Sequence, residues 1–205
     1  MADASRYLVP ARLNRVELVV QRSRFVTTAA RAADAEAAQA FVARVREEFP
    51  DATHHCWAFV AGPPGSSAQV GMSDDGEPHG TAGRPMLTTL LHGGVGEIVA
   101  VCTRYFGGIK LGTGGLSRAY SGAVKQILET LPTVERVERV SLRVLLAYGD
   151  VDAFRRLAQN ADIVVEKETF GVDVSFVVGV PSTERMSFES ALADLTQGRG
   201  RIEIS

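Results

Sequence analysis

Residues 104–118 read RYFGGIKLGTGGLSR and join an apolar run, which predicts a strand, to an amphipathic run, which predicts a helix. The stretch contains five glycines and three cations. Glycines at such a junction let the backbone take positive φ and approach a ligand closely, and the amides of a helix's first turn carry partial positive charge. The pattern therefore predicts a strand, a turn and a helix that form an anion-binding site.

This loop matches neither the Walker motif nor the dinucleotide fingerprint. We expect Thr113 to be the N-cap of the helix, and Arg104, Lys110 and Arg118 to complete a phosphate or carboxylate site. The alternative is that the glycines only make a tight turn and let the helix pack closely on the sheet. The residues that we expect to bind the ligand or RNA are Arg84, Arg104, Tyr105, Phe106, Gly107, Gly108, Lys110, Gly112, Thr113, Gly114, Gly115 and Arg118.

Two aromatic residues, Tyr105 and Phe106, stand at the end of the predicted strand beside this loop. Aromatic side chains next to cations suit stacking on unpaired bases, which favours single-stranded RNA over a duplex. Neighbouring residues of a strand point to opposite faces, so we expect one ring to be exposed and the other to be in the core.

A second candidate loop is SDDGEPHGTAGR at residues 73–84. Its carboxylates and histidine could hold a divalent cation or serve as acid and base. The alternative is a turn at Asp75 and Gly76, with acidic residues placed ahead of a helix N-terminus. The spacing is not that of a calcium loop, so we expect a structural or ligand-positioning role and no metal or cofactor. The residues of this secondary site are Asp74, Asp75, Glu77, His79 and Thr81.

Histidines and cysteines elsewhere do not form a metal motif. His54 and Cys56 share a face of a predicted strand, but no second pair at zinc-ligand spacing exists in the sequence. The two cysteines, Cys56 and Cys102, both lie in apolar runs, so we expect buried thiols and no disulfide.

Hydrophobic periodicity predicts alternating strands and helices over the first two thirds of the chain, which we assign to a domain at residues 1–133. Residues 133–139 are interpreted as a short charged link. The predicted strands are Leu13–Val20, Arg24–Ala29, Thr53–Ala61, Ala68–Met72 and Glu97–Tyr105, and the predicted helices are Asp34–Phe49, Thr81–His92 and Thr113–Leu131.

The remainder, residues 138–205, predicts the order β-α-β-β-α-β, which is the ferredoxin-like arrangement. The whole chain is therefore expected to be an α+β protein of two domains. The predicted strands are Val140–Ala147, Asp162–Thr169, Val172–Val180 and Arg201–Ser205; the helices are Val151–Gln159, capped by Asp150, and Thr183–Thr196, capped by Ser182.

Composition restricts the class of protein. The chain has 205 residues, 45% hydrophobic and 22% charged, with no apolar run long enough to cross a bilayer and no secretory signal at its start, so we expect a cytoplasmic protein. A net charge of −2 argues against binding nucleic acid by bulk charge. Residues 84–125 nevertheless hold five basic residues and one acidic residue, which indicates a local cationic face.

Three motifs together resemble the YigZ/IMPACT family: HHCWAF at 54–59, SDDGEP with GTAG at 73–83, and RYFGGIKLG at 104–112. The resemblance implies an N-terminal α/β domain of the kind shared by a small-subunit ribosomal protein's second domain, elongation factor G domain IV and GHMP kinases. It also implies a ferredoxin-like C-terminal domain similar to elongation factor G domain V. Eukaryotic IMPACT-like proteins are translational regulators that act through protein partners.

We interpret the chain as a non-catalytic binding protein that engages RNA, the ribosome or a translation-associated protein through the loop at residues 104–118. The alternative is an enzyme that acts on a phosphorylated small molecule or nucleotide at the same loop, with Asp74, Asp75, Glu77 and His79 as magnesium or acid–base groups. A third hypothesis is a protein–protein adaptor that uses the exposed sheet of the C-terminal domain.

Overall fold

The computed structural model describes residues 5–204, and the chain divides into two compact units. One contains Tyr7–Arg136, and the other contains residues 137–204 together with residues 5 and 6. No helix in the described part of the chain is long and apolar enough to span a membrane.

The strands are β1 Arg6–Pro10, β2 Asn14–Val20, β3 Ser23–Arg31, β4 His54–Val60, β5 Val70–Ser73, β6 Ile98–Tyr105, β7 Thr133–Val137, β8 Arg139–Leu146, β9 Val164–Phe170, β10 Val174–Pro181 and β11 Arg201–Ile204. The helices are α1 Ala35–Glu48, α2 Gly83–Leu91, α3 Gly112–Thr130, α4 Val151–Asn160 and α5 Arg185–Thr196.

The N-terminal unit is built on a five-stranded sheet with the order β2-β3-β6-β4-β5, in which every neighbouring pair is antiparallel. Helices α2 and α3 cover one face, and α1 covers the other. The central strand β6 is therefore buried from residue 98 to residue 104. Burial on both faces explains why β4 and β6 are continuous apolar runs instead of alternating ones.

Two short strands of this unit escaped the sequence prediction. β1 and β7 form a separate two-stranded sheet, and β7 lies where we expected only a charged link. The buried carboxylate of Glu97 bonds the hydroxyl of Tyr7 on β1 at 2.9 Å and the guanidinium of Arg136 on β7 at 2.6 Å. A long-range ion pair thus fixes strands whose own sequence lacks an apolar alternation.

The C-terminal unit has a four-stranded antiparallel sheet with the order β11-β8-β10-β9. Its elements follow the predicted order β-α-β-β-α-β, and α4 and α5 pack on the buried side chains of β8 and β10. The result is the α+β composition that the sequence predicts. Ser205, the last residue of the predicted final strand, lies outside the described residues.

Several predicted boundaries of this unit were wrong. β10 begins at Val174, because Val172 belongs to the turn and is 97% exposed. A 3-10 turn at residues 182–184 precedes α5, so Ser182 is not its N-cap. Asp150 is the N-cap residue of α4, as predicted, but its side chain makes no capping hydrogen bond, and its Oδ1 atom lies 3.4 Å from Nη2 of Arg199.

Helix α1 is capped at its N-terminus by Asp34. The Oδ1 atom of Asp34 accepts a hydrogen bond of 2.7 Å from the amide of Ala37, which satisfies one of the amides left open by the first turn. The helix buries Phe41 and Val45 against the sheet.

Asp34→Ala should therefore lower the free energy of unfolding by about 0.5–2 kcal/mol, the usual value of such a cap. Asp34→Ser keeps a hydroxyl acceptor and should lose only part of this. Urea denaturation of both variants measures the difference, with the exposed Glu47→Gln as a control for loss of one negative charge. Equal stabilities for the alanine and serine variants would contradict the capping role.

Candidate functional site

A cavity of about 420 Å³ lies in the N-terminal unit at the start of α3. The loop after β5, the first residues of β4, the loop between β6 and α3 and the first turn of α3 form its walls. It brings together five residues of the predicted anion site and two of the second predicted loop, of which Glu77 was named as a site residue. The lining residues are Thr53, His54, Glu77, Pro78, Arg104, Phe106, Lys110, Leu111, Gly112, Thr113 and Leu116.

The first turn of α3 has no side-chain cap. The helix begins at Gly112 with Leu111 as N-cap, so Thr113, which we expected to be the cap, lies inside the first turn and lines the cavity. The N-cap thus lies two residues earlier than predicted, and Gly112 after it takes φ +69°, a conformation that glycine adopts without strain. Within residues 5–204 the amides of Gly112, Thr113 and Gly114 make no hydrogen bond to a group outside the helix.

Helix α2 provides the contrast, because a carboxylate closes its N-terminus. Asp74 accepts hydrogen bonds from the amides of Gly80, Ala82 and Gly83 at 2.7, 3.0 and 2.8 Å. Burial favours the neutral acid, but the three amides outweigh it and hold the pKa of Asp74 below its usual value. Within residues 5–204, a side chain therefore caps the N-terminus of α2, whereas no side chain caps that of α3.

The predicted cations have different surroundings. Lys110 lines the cavity and is exposed, whereas Arg118 is exposed beside a separate, smaller depression formed with β2. Arg84 is exposed at the start of α2 and lines neither space. No carboxylate of the described chain lies within 4.0 Å of the charged groups of these three residues.

Arg104 is not an available cation. It is 5% exposed, and its guanidinium lies 2.6 Å from the carboxylate of Glu77, which is 8% exposed. The hydroxyl of Tyr120 donates to the same Glu77 oxygen at 2.7 Å, and Arg104 Nη2 donates to Ser23 at 3.3 Å. Our expectation that Arg104 supplies free positive charge was wrong, because this buried carboxylate already compensates it.

One polar atom of this network has no partner. Arg104 Nε is buried, and no hydrogen-bond acceptor within the described residues satisfies it. The guanidinium carbon lies 5.6 Å from the centre of the Phe106 ring, so the arginine also packs near that aromatic side chain in the cavity wall.

The structure agrees with the predicted exposure for only one of the two aromatic residues. Phe106 is 49% exposed and lines the cavity. Tyr105 is not in the core: it is partly exposed, the guanidinium of Arg24 lies 4.3 Å from its ring centre, and its hydroxyl donates to Asp51 at 3.0 Å. Burial, followed by the hydrogen bond to Asp51, raises the pKa of Tyr105.

The glycines of the loop serve two purposes. A Cβ on Gly107 would lie 2.0 Å from the backbone carbon of Arg22, so this residue lets the loop pack against the hairpin between β2 and β3. Gly108 takes φ +83° and shapes the turn, as Gly112 does. Gly114 and Gly115 lie in the first turns of α3 but do not line the main cavity. Part of the glycine pattern is thus explained by packing, as the structural alternative proposed.

The second predicted loop has a structural arrangement. Asp75 accepts a hydrogen bond from the amide of His55 at 2.7 Å and pairs with Arg46. Thr81 donates to the carbonyl of Pro78 at 2.7 Å, and His79 is fully exposed, 3.8 Å from Asp74. In the described part of the chain, no group of three or more metal-ligating side chains could hold a metal ion.

His54 is the residue that sequence reasoning left out of the site. Its Nδ1 atom lies 2.8 Å from the carbonyl of Asp75 and, in the neutral ring, donates to it, which leaves Nε2 as an acceptor. His54 lines the cavity, whereas His55 points to the other face of the strand, where its Nε2 bonds the carbonyl of Phe49 at 3.0 Å. The alternation of the strand was a sufficient signal for this separation.

The two cysteines are directly opposite each other on β4 and β6, and both are free and buried. Burial raises the pKa of both thiols, that of Cys102 to about 12. Since the thiolate is the reactive form, these cysteines are inert components of the core at neutral pH.

Comparison with known proteins gives matches over both units. The model of the Impact N-terminal domain matches residues 21–128, and that of a domain of unknown function, DUF1949, matches residues 144–199. An IMPACT family member from Haemophilus influenzae is 40% identical over 98% of this chain and 97% of its own length. IMPACT family member YigZ from Escherichia coli is 43% identical over 94% of each chain. A crystal structure described as that of a hypothetical protein has a TM-score of 0.70 and 41% identity over 98% of both chains.

Capping of α2 by Asp74 should make stability depend on pH. Because the pKa of Asp74 is lower in the folded chain, its carboxylate stabilises the fold above the unfolded value of 3.8, and this contribution is lost as the pH falls through the folded value. Asp74→Asn should therefore be less stable than the native chain at pH 7, and the difference should shrink below about pH 4. Urea denaturation at pH 7, 5 and 3 measures it, with Glu47→Gln as control. A difference that is the same at all three pH values would refute this role.

The pair of Glu77 and Arg104 should show strong energetic coupling. Glu77→Leu leaves a buried arginine uncompensated and should lower the free energy of unfolding by about 3–5 kcal/mol. Replacing both partners, with Glu77→Leu and Arg104→Met, should cost less than the single change. Urea denaturation followed by Trp57 fluorescence measures the cycle, and the milder Tyr120→Phe serves if Glu77→Leu does not fold. Additive losses in the double variant would show that the pair is not coupled.

Proposed function

This chain belongs to the IMPACT family, and from that premise we propose that it is a non-catalytic cytoplasmic protein that binds RNA on the ribosome or in the translation apparatus. The binding site is the cavity at the start of α3. One observation carries the proposal: an uncapped helix N-terminus, an unpaired lysine and an exposed aromatic ring line the same space.

Electrostatics support binding of phosphate. The free amides of the first turn and the dipole of the 19-residue α3 favour an anion at this end of the helix. Lys110 adds a full charge in the cavity, and Arg118 adds another on the exposed side of the same helix. The net charge of −2 is compatible with this, because the binding charge is concentrated in one region instead of spread over the surface.

The aromatic ring supports a nucleic acid over a simple anion. Phe106 is half exposed at the cavity, and Ile109 in the same loop is 40% exposed. An exposed ring beside phosphate-binding groups is the arrangement with which proteins stack unpaired bases. The bases of a duplex are not available for such stacking, so single-stranded regions or loops of RNA fit this surface best.

The carboxylates argue against the alternative of an enzyme that acts on a phosphorylated small molecule. Asp74 closes the start of α2, Asp75 pairs with Arg46, and Glu77 pairs with Arg104. Each of these groups already has a structural partner, which leaves none of the three free to hold magnesium. His79 is exposed and lies outside the cavity lining.

We assign the two domains that the sequence predicts, residues 1–133 and 138–205, to the two folds that the resemblance implies. The N-terminal domain is of the ribosomal-protein and elongation factor G domain IV type, and the C-terminal domain is ferredoxin-like and similar to elongation factor G domain V. On the open face of the C-terminal sheet, Glu203, Arg143 and Lys167 lie in one row across the strands. Because this row has mixed charge, we assign the main RNA contact to the N-terminal domain.

Removal of the two free cations near α3 should weaken RNA binding. Lys110→Ala combined with Arg118→Ala should reduce the affinity for single-stranded RNA and for ribosomes. The dependence of log affinity on log salt should become flatter by about 0.7 for each phosphate that the variant no longer neutralises. Filter binding at several salt concentrations and ribosome sedimentation measure both effects.

The matched control removes two exposed cations of the same unit elsewhere, with Arg12→Ala and Lys125→Ala, and should change both quantities less. The proposal fails if the native chain shows no salt-sensitive binding to RNA or ribosomes. It also fails if the control pair weakens binding as much as the pair at α3.

A further inference from the structure

We infer that the cavity at the start of α3 is a site for a nucleoside 5′-monophosphate group, with the phosphate at the first turn of the helix and the base against Phe106. This inference rests on the proposed function and specifies the chemical group that the same site takes. The group has two sources, a free nucleotide or the 5′ end of an RNA strand, and the experiment below separates them.

We place the phosphate at the first turn of α3 because hydrogen-bond donors are in excess there. Gly112 and Thr113, whose amides are open within the described chain, line the cavity together with Lys110. The first turn of α3 contains no acidic residue. A terminal phosphate carries nearly two charges and three free acceptor oxygens, whereas an internal diester carries one charge and two such oxygens. The donors therefore match a terminal phosphate better.

A second observation in the wall also points to a ligand. Arg104 is 5% exposed and lines the cavity, yet its Nε atom has no hydrogen-bond partner within the described chain. A buried donor without a partner is costly in a folded protein, so an acceptor placed next to Arg104 would be stabilising. Glu77 also lines the cavity but does not repel a phosphate, because Arg104 and Tyr120 compensate its charge.

We place the base against Phe106 because the cavity lining includes this ring and other apolar side chains. Phe106 offers a half-exposed ring, and Pro78, Leu111 and Leu116 complete an apolar wall. His54 contributes one acceptor, its Nε2 atom, for a hydroxyl of the ribose or an amino group of the base. The lining thus combines hydrogen-bond donors with apolar surface, as a nucleotide combines a phosphate with a base.

The volume limits the ligand to one nucleotide. About 420 Å³ is within the range of cavities that enclose a single small ligand, and it is too small for a run of several nucleotides. A single nucleotide at the end of a strand would fill this space, in agreement with the match of the donors to a terminal phosphate.

The test compares two octauridylates that carry a 3′ fluorophore and differ only at the 5′ end, one with a phosphate and one with a hydroxyl. Fluorescence anisotropy with the full chain should give about tenfold or greater preference for the 5′-phosphate, the effect of one or two charge-assisted hydrogen bonds. Uridine 5′-monophosphate should compete for the site, and uridine should not. Inorganic phosphate should compete more weakly, because it lacks the base.

Two variants test which side chains bind the phosphate and which bind the base. Lys110→Met should reduce the preference for the 5′-phosphate, whereas Lys125→Met at the other end of α3 should leave it unchanged. Phe106→Ala should weaken binding of uridine 5′-monophosphate but not of inorganic phosphate, since only the former has a base to stack. Both side chains are exposed, so thermal melting should show that the variants remain folded.

The outcomes separate this inference from the proposed function. Salt-sensitive RNA binding with equal affinity for both 5′ ends would overturn the nucleotide site and leave the RNA-binding function intact. Binding of the monophosphate without binding of either RNA would support the site with a free nucleotide as its source and overturn the RNA function. Equal competition by inorganic phosphate and the monophosphate would overturn the assignment of the base to Phe106. If neither RNA nor the monophosphate binds, both proposals are wrong.

Discussion

The buried ion pair of Glu77 and Arg104 holds the candidate site together. It joins the loop after β5 to the end of the central strand, and through Tyr120 and Ser23 it extends to α3 and to the hairpin of β2 and β3. Four separate segments of the N-terminal unit therefore meet at two side chains. Burying such a pair costs desolvation energy, and a pair of apolar residues would pack as well at lower cost. What the pair provides is a fixed position for the cavity wall.

Most secondary structure of this chain is predictable because local patterns and burial agree. β4 and β6 are apolar throughout because helices cover both faces of their sheet, and α1 carries its own cap in Asp34. β1 and β7 were not predicted, because both are short and lack an apolar alternation, and Glu97, which contacts both, is distant in the sequence from each. Local signals thus succeed where an element is stabilised by its own residues and fail where a distant residue stabilises it.

For the candidate site, too, the features set by local sequence were predicted and those set by distant residues were not. The glycines and cations at residues 104–118 correctly indicate a strand, a turn and a helix start around a cavity. The sequence does not reveal that Arg104 is buried against Glu77, because the two are 27 residues apart and only the folded sheet brings them together. It also hides His54, whose role depends on the carbonyl of Asp75 that orients its ring. Which charges are neutralised within the fold and which remain for a ligand is a property of tertiary structure.

The open start of α3 has a consequence for the energetics of the whole unit. A side-chain cap is typically worth about 1 kcal/mol to a helix, and α2 receives one from Asp74 while α3 does without. The folded chain therefore lacks a cap on the first-turn amides of α3, and a bound group that accepts hydrogen bonds from these amides would supply one. Binding of an anion at this end of α3 would therefore raise the thermal stability of the chain, because the anion would complete the hydrogen bonds of the first turn.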